Sequence, residues 1–214
     1  MFSKRLGSHV FRRTFAVVAS LALVSAVAGS VAAAGNGLGT MSVTPTSVGV
    51  GATQNFTFTF TNNTGTAFQA GSQVVLTIPA SWTRPTTSGT NATAGHVSVS
   101  NSCGASISGI APNSATGPWY ITIPMTCGAS TSFTLSYRNA TAPTVAGPYT
   151  FTTQSQDGGS GLADLVAGSP TVTVFGPVNK LAFGVQPSNA VAGTSIAPSV
   201  TVLVQDAGGN TVTT

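Results

Sequence analysis

The chain has 214 residues and 42% of them are apolar, which is enough for a packed core of one or two domains. Its formal charge of +4 comes from four basic residues within the first thirteen positions, namely Lys4, Arg5, Arg12 and Arg13. From Gly35 onward three cations balance three aspartates, which excludes the clustered basic surface on which nucleic-acid binding depends.

The first 34 residues predict a signal peptide that forms a helix. The basic segment is followed by an uncharged, apolar stretch at 15–28, and residues 32–34 match the small-residue pattern at which signal peptidase cleaves. We therefore expect cleavage after Ala34. The alternative is an uncleaved membrane anchor, because residues 15–34 would span about 30 Å as a helix.

The paired arginines bear on the export route. Arg12 and Arg13, followed by Thr14 and Phe15, resemble the twin-arginine export motif, although Phe11 stands where that motif has Ser or Thr. Paired arginines are also common in ordinary signal peptides, so the general secretion route is favoured. Both routes predict an extracellular or cell-surface location.

Beyond residue 34, apolar residues recur with a period of two, which indicates β-strands, and no long stretch has helical period. Phe56, Phe58 and Phe60 alternate with threonines, so we expect their aromatic face to be buried. The same alternation predicts further inward-facing sets, namely Val74, Leu76 and Ile78; Phe133, Leu135 and Tyr137; Tyr149, Phe151 and Thr153; and Val172 with Val174.

Clusters of Gly, Pro and Asn separate these runs and divide the region between Met41 and Phe175 into about eight or nine strands. Each sheet has one apolar face that must pack against another sheet. The predicted fold is therefore all-β, an immunoglobulin-like antiparallel β-sandwich that occupies residues 35–176.

A linker at Gly176, Pro177 and Val178 ends this domain. The runs 180–186 and 199–205 then predict two strands, and a short third strand follows at 211–213. Two or three strands are too few to bury a core alone. We therefore interpret residues 177–214 as the start of a second, truncated domain of the same class.

Cys103 and Cys127 predict a disulfide, because an exported protein experiences an oxidising compartment and two ligands rarely hold a metal. If the flanking runs pair as a hairpin centred near Ala115, Ile107 lies opposite Ile123 and the two cysteines lie opposite each other, within bonding reach. Free thiols are the alternative.

After the predicted signal segment, the sequence offers no set of residues that matches a catalytic triad or a pair of catalytic acids. The single histidine there, His96, begins a predicted strand, whereas a hydrolytic triad needs a nucleophile, a base and an orienting acid. The acids are Asp157, Asp164 and Asp206, and the first and third lie in glycine turns, where Asp commonly bonds its own backbone. We expect a non-enzymatic protein without a cofactor.

Two candidate ligand sites compete with structural interpretations. Asp157 and Asp164 could contribute two carboxylates to a weak calcium site, although no metal is expected. Trp82, Trp119 and Tyr120 could stack on a sugar, but their positions at a strand exit and a strand start favour a core or rim role.

The carboxyl-terminal run resembles the opening of bacterial immunoglobulin-like repeats. The resemblance is carried by residues 180–193 (KLAFGVQPSNAVAG) and 198–210 (PSVTVLVQDAGGN), in which QPS followed by AG and the QDxxGN turn are fairly specific. More loosely, SVTPTSV at 42–48 and PYTFT at 148–152 resemble the Thr-rich sandwich modules of secreted bacterial proteins. The resemblance implies an extracellular, structural or adhesive role without catalytic residues.

Three functions stay open on the sequence. We favour a secreted or cell-surface structural or adhesive protein built of tandem immunoglobulin-like domains. The alternatives are a carbohydrate-binding accessory module and the non-catalytic N-terminal part of a larger exported enzyme. The expected partner is an extracellular protein or a glycan of unknown identity. No nucleic-acid partner is expected, and membrane contact is expected only through the signal segment if it stays uncleaved.

Overall fold

The computed structural model describes residues 35–100, 102–159 and 161–212. Within these ranges there are fourteen strands, and the only helical element is a single 3-10 turn at Ser102–Gly104. The prediction of an all-β fold is confirmed. The predicted signal helix, the Arg12 and Arg13 pair and the cleavage site at Ala34 lie outside the described residues.

Two antiparallel sheets form the β-sandwich, with strands numbered in chain order. The four-stranded sheet consists, in spatial order, of β1 (Thr40–Thr44), β3 (Thr53–Thr61), β8 (Ser132–Thr141) and β5 (His96–Val99). The five-stranded sheet consists of β11 (Ala163–Asp164), β10 (Thr153–Gln156), β4 (Gln73–Ile78), β7 (Trp119–Pro124) and β6 (Gly109–Ala111).

A smaller, three-stranded sheet completes the domain. It consists of β2 (Ser47–Gly49), β12 (Thr171–Phe175) and β9 (Gly147–Thr150). β12 pairs in parallel with β2 and antiparallel with β9. Val172 and Val174 point from β12 into the core, as their alternation predicts.

The aromatic face of β3 is buried between the sheets. Phe56, Phe58 and Phe60 are at most 1% exposed, and the ring centroid of Phe58 lies 5.0 Å from that of Phe151. Burial of one such side chain stabilises a fold by about 1.5–3 kcal/mol, so the three rings together contribute an amount comparable with the net stability of a whole domain. The other predicted inward-facing sets are also buried, with Tyr149 partly so.

The strand count differs from the prediction, because the chain crosses between sheets. The structure has twelve strands between Thr40 and Phe175, compared with the predicted eight or nine. Residues 149–153, predicted as one run, are divided: β9 ends at Thr150 in the three-stranded sheet, and β10 begins at Thr153 in the five-stranded sheet. Phe151, at the crossing, donates its N–H to the Pro170 carbonyl (2.9 Å).

The disulfide between Cys103 and Cys127 is present, with the Cα atoms 4.3 Å apart. Cys103 lies in the 3-10 turn and has a positive φ of 59°. Its carbonyl accepts a hydrogen bond from the Thr126 N–H at 2.8 Å. This turn brings the Cys103 sulfur to Cys127, which is fully buried in the core.

The predicted register of the hairpin that carries this disulfide is wrong by one residue. Ile107 precedes β6 and does not pair with Ile123, while Ile110 lies opposite Ile121. A slip of one residue moves side chains to the other face of a strand. Strand pairing alone would therefore have separated the cysteines, and the turn at Cys103 compensates for the slip.

The last two strands form the carboxyl-terminal hairpin, an antiparallel sheet of β13 (Lys180–Val185) and β14 (Thr201–Gln205). Both strands agree with the predicted runs to within two residues. The third predicted strand is reduced to an isolated bridge between Thr211 and Gln205, and Thr213 lies outside the described residues.

Removal of the disulfide tests its contribution to the sandwich. The double variant Cys103→Ser, Cys127→Ser should lose about 3 kcal/mol of unfolding free energy, because the bond closes a loop with a sequence separation of 24. Urea denaturation followed by tryptophan fluorescence measures this loss. The unsubstituted chain under reducing conditions is the matched control, and its urea midpoint should equal that of the double variant. An unchanged midpoint in the double variant would contradict the expectation.

Candidate functional site

The three aromatic residues considered for sugar stacking do not form a platform. Trp82 is 4% exposed and Trp119 is 1% exposed, whereas Tyr120 is 44% exposed on the opposite face of β7. The Trp82 ring packs edge-on against Phe56 and Phe151, at centroid distances of 5.3 and 5.1 Å. Both tryptophans therefore belong to the core, and only Tyr120 faces outward.

Asp157 and Asp164 do not share a cation site. The Asp157 carboxylate is 5% exposed and accepts hydrogen bonds from Gln69 N (2.7 Å), Ser72 Oγ (2.8 Å) and Gly35 N (3.1 Å). Asp164 is exposed and accepts a hydrogen bond from Gln154 Nε2 at 2.9 Å. N–H and O–H donors occupy the Asp157 oxygens that a calcium ion would require.

His96 begins β5, and its cross-strand neighbour in β8 is Arg138. A triad histidine needs an acid bonded to one ring nitrogen, and among the described residues His96 Nδ1 is buried without a hydrogen-bond partner. In the described part of the chain, no group of three or more His, Cys, Asp or Glu side chains converges in a way that could hold a metal ion.

The third aspartate connects the carboxyl-terminal hairpin to the sandwich. Asp206 follows β14 and is 1% exposed. Its Oδ1 accepts a hydrogen bond from Asn210 N (2.8 Å), and its Oδ2 accepts bonds from Asn210 Nδ2 (2.9 Å) and Gly176 N (2.7 Å). Gly176 directly follows β12. One carboxylate thus joins the turn of the hairpin to the end of the sandwich, and we call this arrangement the Asp206 joint.

Hydrogen bonding controls the charge of the Asp206 joint. The Gly176 N–H makes the largest contribution and the Asn210 side chain the next, and together with further backbone donors they lower the pKa of Asp206 to about 2. The carboxylate is therefore ionised at neutral pH. The ionised form is the better acceptor, so the joint is at full strength there.

The sequence predicted the local contact of Asp206 and not its contact with Gly176. The glycine turn correctly predicts that Asp206 bonds backbone near itself, at Asn210. Its bond to Gly176, 30 residues earlier, has no counterpart in any local pattern. A Cβ built on Gly176 would lie 3.4 Å from Asp206 Oδ2, so the two segments are within van der Waals contact.

One face of the carboxyl-terminal hairpin is apolar and exposed. Leu181 lies opposite Val204, and Phe183 lies opposite Val202, so the four side chains share a face. Their exposures are 71% for Leu181, 38% for Val204, 53% for Phe183 and 54% for Val202. We call these four residues the apolar hairpin face. Contiguous apolar surface of this kind normally marks a contact site.

Asp206→Ala should loosen the hairpin while leaving the sandwich folded. The Gly176 and Asn210 amides lose their acceptor, so their hydrogen exchange should accelerate, as NMR or mass spectrometry would measure.

Because the pKa of Asp206 is depressed, its stabilising contribution is present above about pH 3.9 and is lost as the pH falls through about 2.

Asp164→Asn is the matched control, because it removes an exposed carboxylate that contacts neither amide. Equal exchange of the Gly176 amide in Asp206→Ala and in the unsubstituted chain would show that the joint does not hold the two parts together.

Among the described residues, no helix has both the length and the apolar character needed to cross a membrane.

Comparison with known proteins gives distant structural similarities only. No protein-family model matches the chain, and neither does any curated protein. A protein from Corynebacterium diphtheriae, described as membrane anchored, has a TM-score of 0.42 and 11% identity, over 65% of this chain and 36% of that one. The adhesin InvE from Yersinia pseudotuberculosis has a TM-score of 0.26 and 16% identity, over 81% of this chain and 36% of the adhesin. The chain spans little more than a third of the length of either structure.

Proposed function

We propose that the chain is a non-catalytic, exported protein of the cell surface, in which tandem immunoglobulin-like domains act as a spacer or adhesive stalk. The Asp206 joint is the observation that carries this proposal. A stalk must hold successive domains in a defined orientation, and the joint restrains a linker that Gly176 would otherwise leave free. A second bond, from Asn179 N to Gln205 O (2.8 Å), extends the pairing of β13 and β14 back to the end of the linker.

The apolar hairpin face supports the tandem arrangement. Leaving Leu181 and Phe183 in water forgoes about 1.5–3 kcal/mol for each side chain that could be buried. We propose that residues 177–214 are the first strands of a second immunoglobulin-like domain, whose other strands would cover this face. The first domain offers the precedent, because each of its sheets covers the apolar face of the other.

The disulfide and the surface chemistry support export. A disulfide persists in an oxidising compartment, which fits a chain that leaves the cytoplasm. The outer face of β3 carries hydroxyl groups, such as those of Thr57 and Thr59, and no charge. We propose that the signal sequence directs the chain through the general secretion route to the cell surface or the medium.

An adhesive role would use loops and strand edges. The partner would be an extracellular protein or a glycan. Sugar stacking is the weaker alternative, because Tyr120 is the one exposed ring of the three candidates. A single ring gives less stacking surface than a pair of rings on one face.

Distance measurement tests the stalk proposal. Spin labels at Thr57→Cys and Thr201→Cys report on the sandwich and the hairpin, both positions are exposed, and the native cysteines are bonded and unavailable for labelling. Pulsed electron paramagnetic resonance should give one narrow distance distribution. Adding Asp206→Ala should broaden it several-fold, whereas adding Asp164→Asn should not. A broad distribution in the chain with Asp206 intact would argue against a rigid stalk.

Protease treatment of intact cells that produce the chain tests its location. Surface exposure predicts that added protease degrades the chain and leaves a cytoplasmic protein untouched. Intact mass of the exported chain should correspond to a first residue at Gly35 and to one disulfide. Full protection in intact cells that becomes digestion after lysis would contradict export, and a retained leader would contradict cleavage after Ala34.

A further inference from the structure

Residues 35–39 are fastened to the edge of the five-stranded sheet. The Gly37 N–H donates to the Ser155 carbonyl (3.1 Å), the Val166 N–H donates to the Gly37 carbonyl (2.9 Å), and Ser155 Oγ donates to the Leu38 carbonyl (2.7 Å). Gly37 has a φ of 71°, and a Cβ there would lie 2.6 Å from the Asp164 carbonyl oxygen. Glycine is therefore required for the segment to approach the sheet so closely.

Asp157 forms hydrogen bonds with the first two residues of this segment, one through its backbone N–H and one through its carboxylate. The Asp157 backbone N–H donates to Asn36 Oδ1 at 2.9 Å, and the Gly35 nitrogen lies 3.1 Å from Asp157 Oδ2. The carboxylate is 5% exposed and lies in a turn that follows β10. The nitrogen that approaches this buried carboxylate belongs to the residue that directly follows the predicted cleavage site.

Cleavage would change the chemistry of that nitrogen. Hydrolysis of the Ala34–Gly35 peptide bond by signal peptidase consumes one water, leaves a carboxylate on Ala34, and leaves on Gly35 an amine that takes up a proton. A neutral amide N–H is thereby replaced by an ammonium group that carries three donors and a full positive charge. The amide N–H already donates to a carboxylate oxygen, so the gain on cleavage is the Coulomb attraction of a full positive charge on the donor.

We propose that cleavage after Ala34 creates an ion pair between the α-ammonium group of Gly35 and the buried Asp157 carboxylate, which locks the amino-terminal segment onto the sandwich. The pair forms only in the mature chain, so export and final stabilisation are coupled through one bond. The inference depends on the cleavage position and is independent of the adhesive or stalk role.

The surroundings of the pair contain few other charges. The elements packed against it are β10, β11, the turn between them and residues 68–72. Among their described residues the charged groups are Asp157 and the exposed Asp164. Both are negative, so both favour the protonated amine. The pKa of the Gly35 ammonium should therefore lie above the ordinary range of about 7.7–8.0 for an α-amino group.

The test uses a chain of residues 35–214 with Gly35 as its first residue. The buried cluster lies entirely within this range, so the sandwich retains its core. The titration of the Gly35 Cα signal by NMR in glycine-labelled protein gives the ammonium pKa directly. We expect it to be raised by at least about one unit, which means about tenfold tighter proton binding than in an unfolded chain. A value within the ordinary range would overturn the proposal.

Two further chains keep Asp157 intact and test stability. Acetylation of the Gly35 amine, or retention of Ala34, removes the charge from that nitrogen and should lower the folding equilibrium constant about tenfold at pH 6. Because the ammonium pKa is raised in the folded state, this difference is complete below about pH 8 and disappears as the pH rises through the folded pKa. Equal stability of all three chains at pH 6 would overturn the proposal.

Substitution identifies the partner. Asp157→Asn should return the Gly35 pKa to the ordinary range, whereas Asp164→Asn, which removes a nearby exposed carboxylate, should change it little. An equal effect of the two substitutions would show that the Gly35 pKa responds to nearby negative charge in general and that Gly35 and Asp157 form no specific ion pair. Intact mass of the exported chain separately establishes whether the cell cleaves after Ala34, so a different cleavage position is distinguishable from a missing ion pair.

Discussion

Burial of the aromatic face of β3 is the constraint on which the sandwich depends. β3 lies inside the four-stranded sheet, between β1 and β8, so its phenylalanines can be covered only by a second layer. The five-stranded sheet supplies that layer. Phe151 contacts Phe58 at the point where the chain leaves the three-stranded sheet for the five-stranded one, so the crossing itself fills the core.

The aspartates hold the ends of this domain. The chain has three acidic residues and buries two of them, and both accept hydrogen bonds from backbone N–H groups. Asp157 bonds Gly35 and Asn36 at one end, and Asp206 bonds the turn of the carboxyl-terminal hairpin to Gly176 at the other. Their burial fits a structural role, in which N–H and O–H donors satisfy a buried carboxyl group.

The sandwich and the carboxyl-terminal hairpin differ in how much of their apolar surface is buried. The sandwich buries its predicted inward-facing sets except for Tyr149, which is partly buried, whereas the hairpin keeps Leu181 and Phe183 largely in water. A two-stranded sheet has no second layer of its own, so its orientation comes from the Asp206 joint and its apolar face stays available. This contrast links the fold to the proposed stalk, because the joint positions a surface that still needs a partner layer.

Alternation along the chain was enough to predict an all-β fold and the inward face of five runs of residues. Alternation with a period of two is a local property, so Phe56, Leu76 and Leu135 could be assigned to the core before any pairing was known. The balance of charges after residue 34 was equally readable, and the signal peptide stays a prediction. The register of β6 on β7, the division at residues 149–153 and the bond between Gly176 and Asp206 were decided only by tertiary structure. The physical reason is that backbone hydrogen bonds are alike at every residue, so an extended segment can pair with any free edge, and only the packing of the whole core selects one.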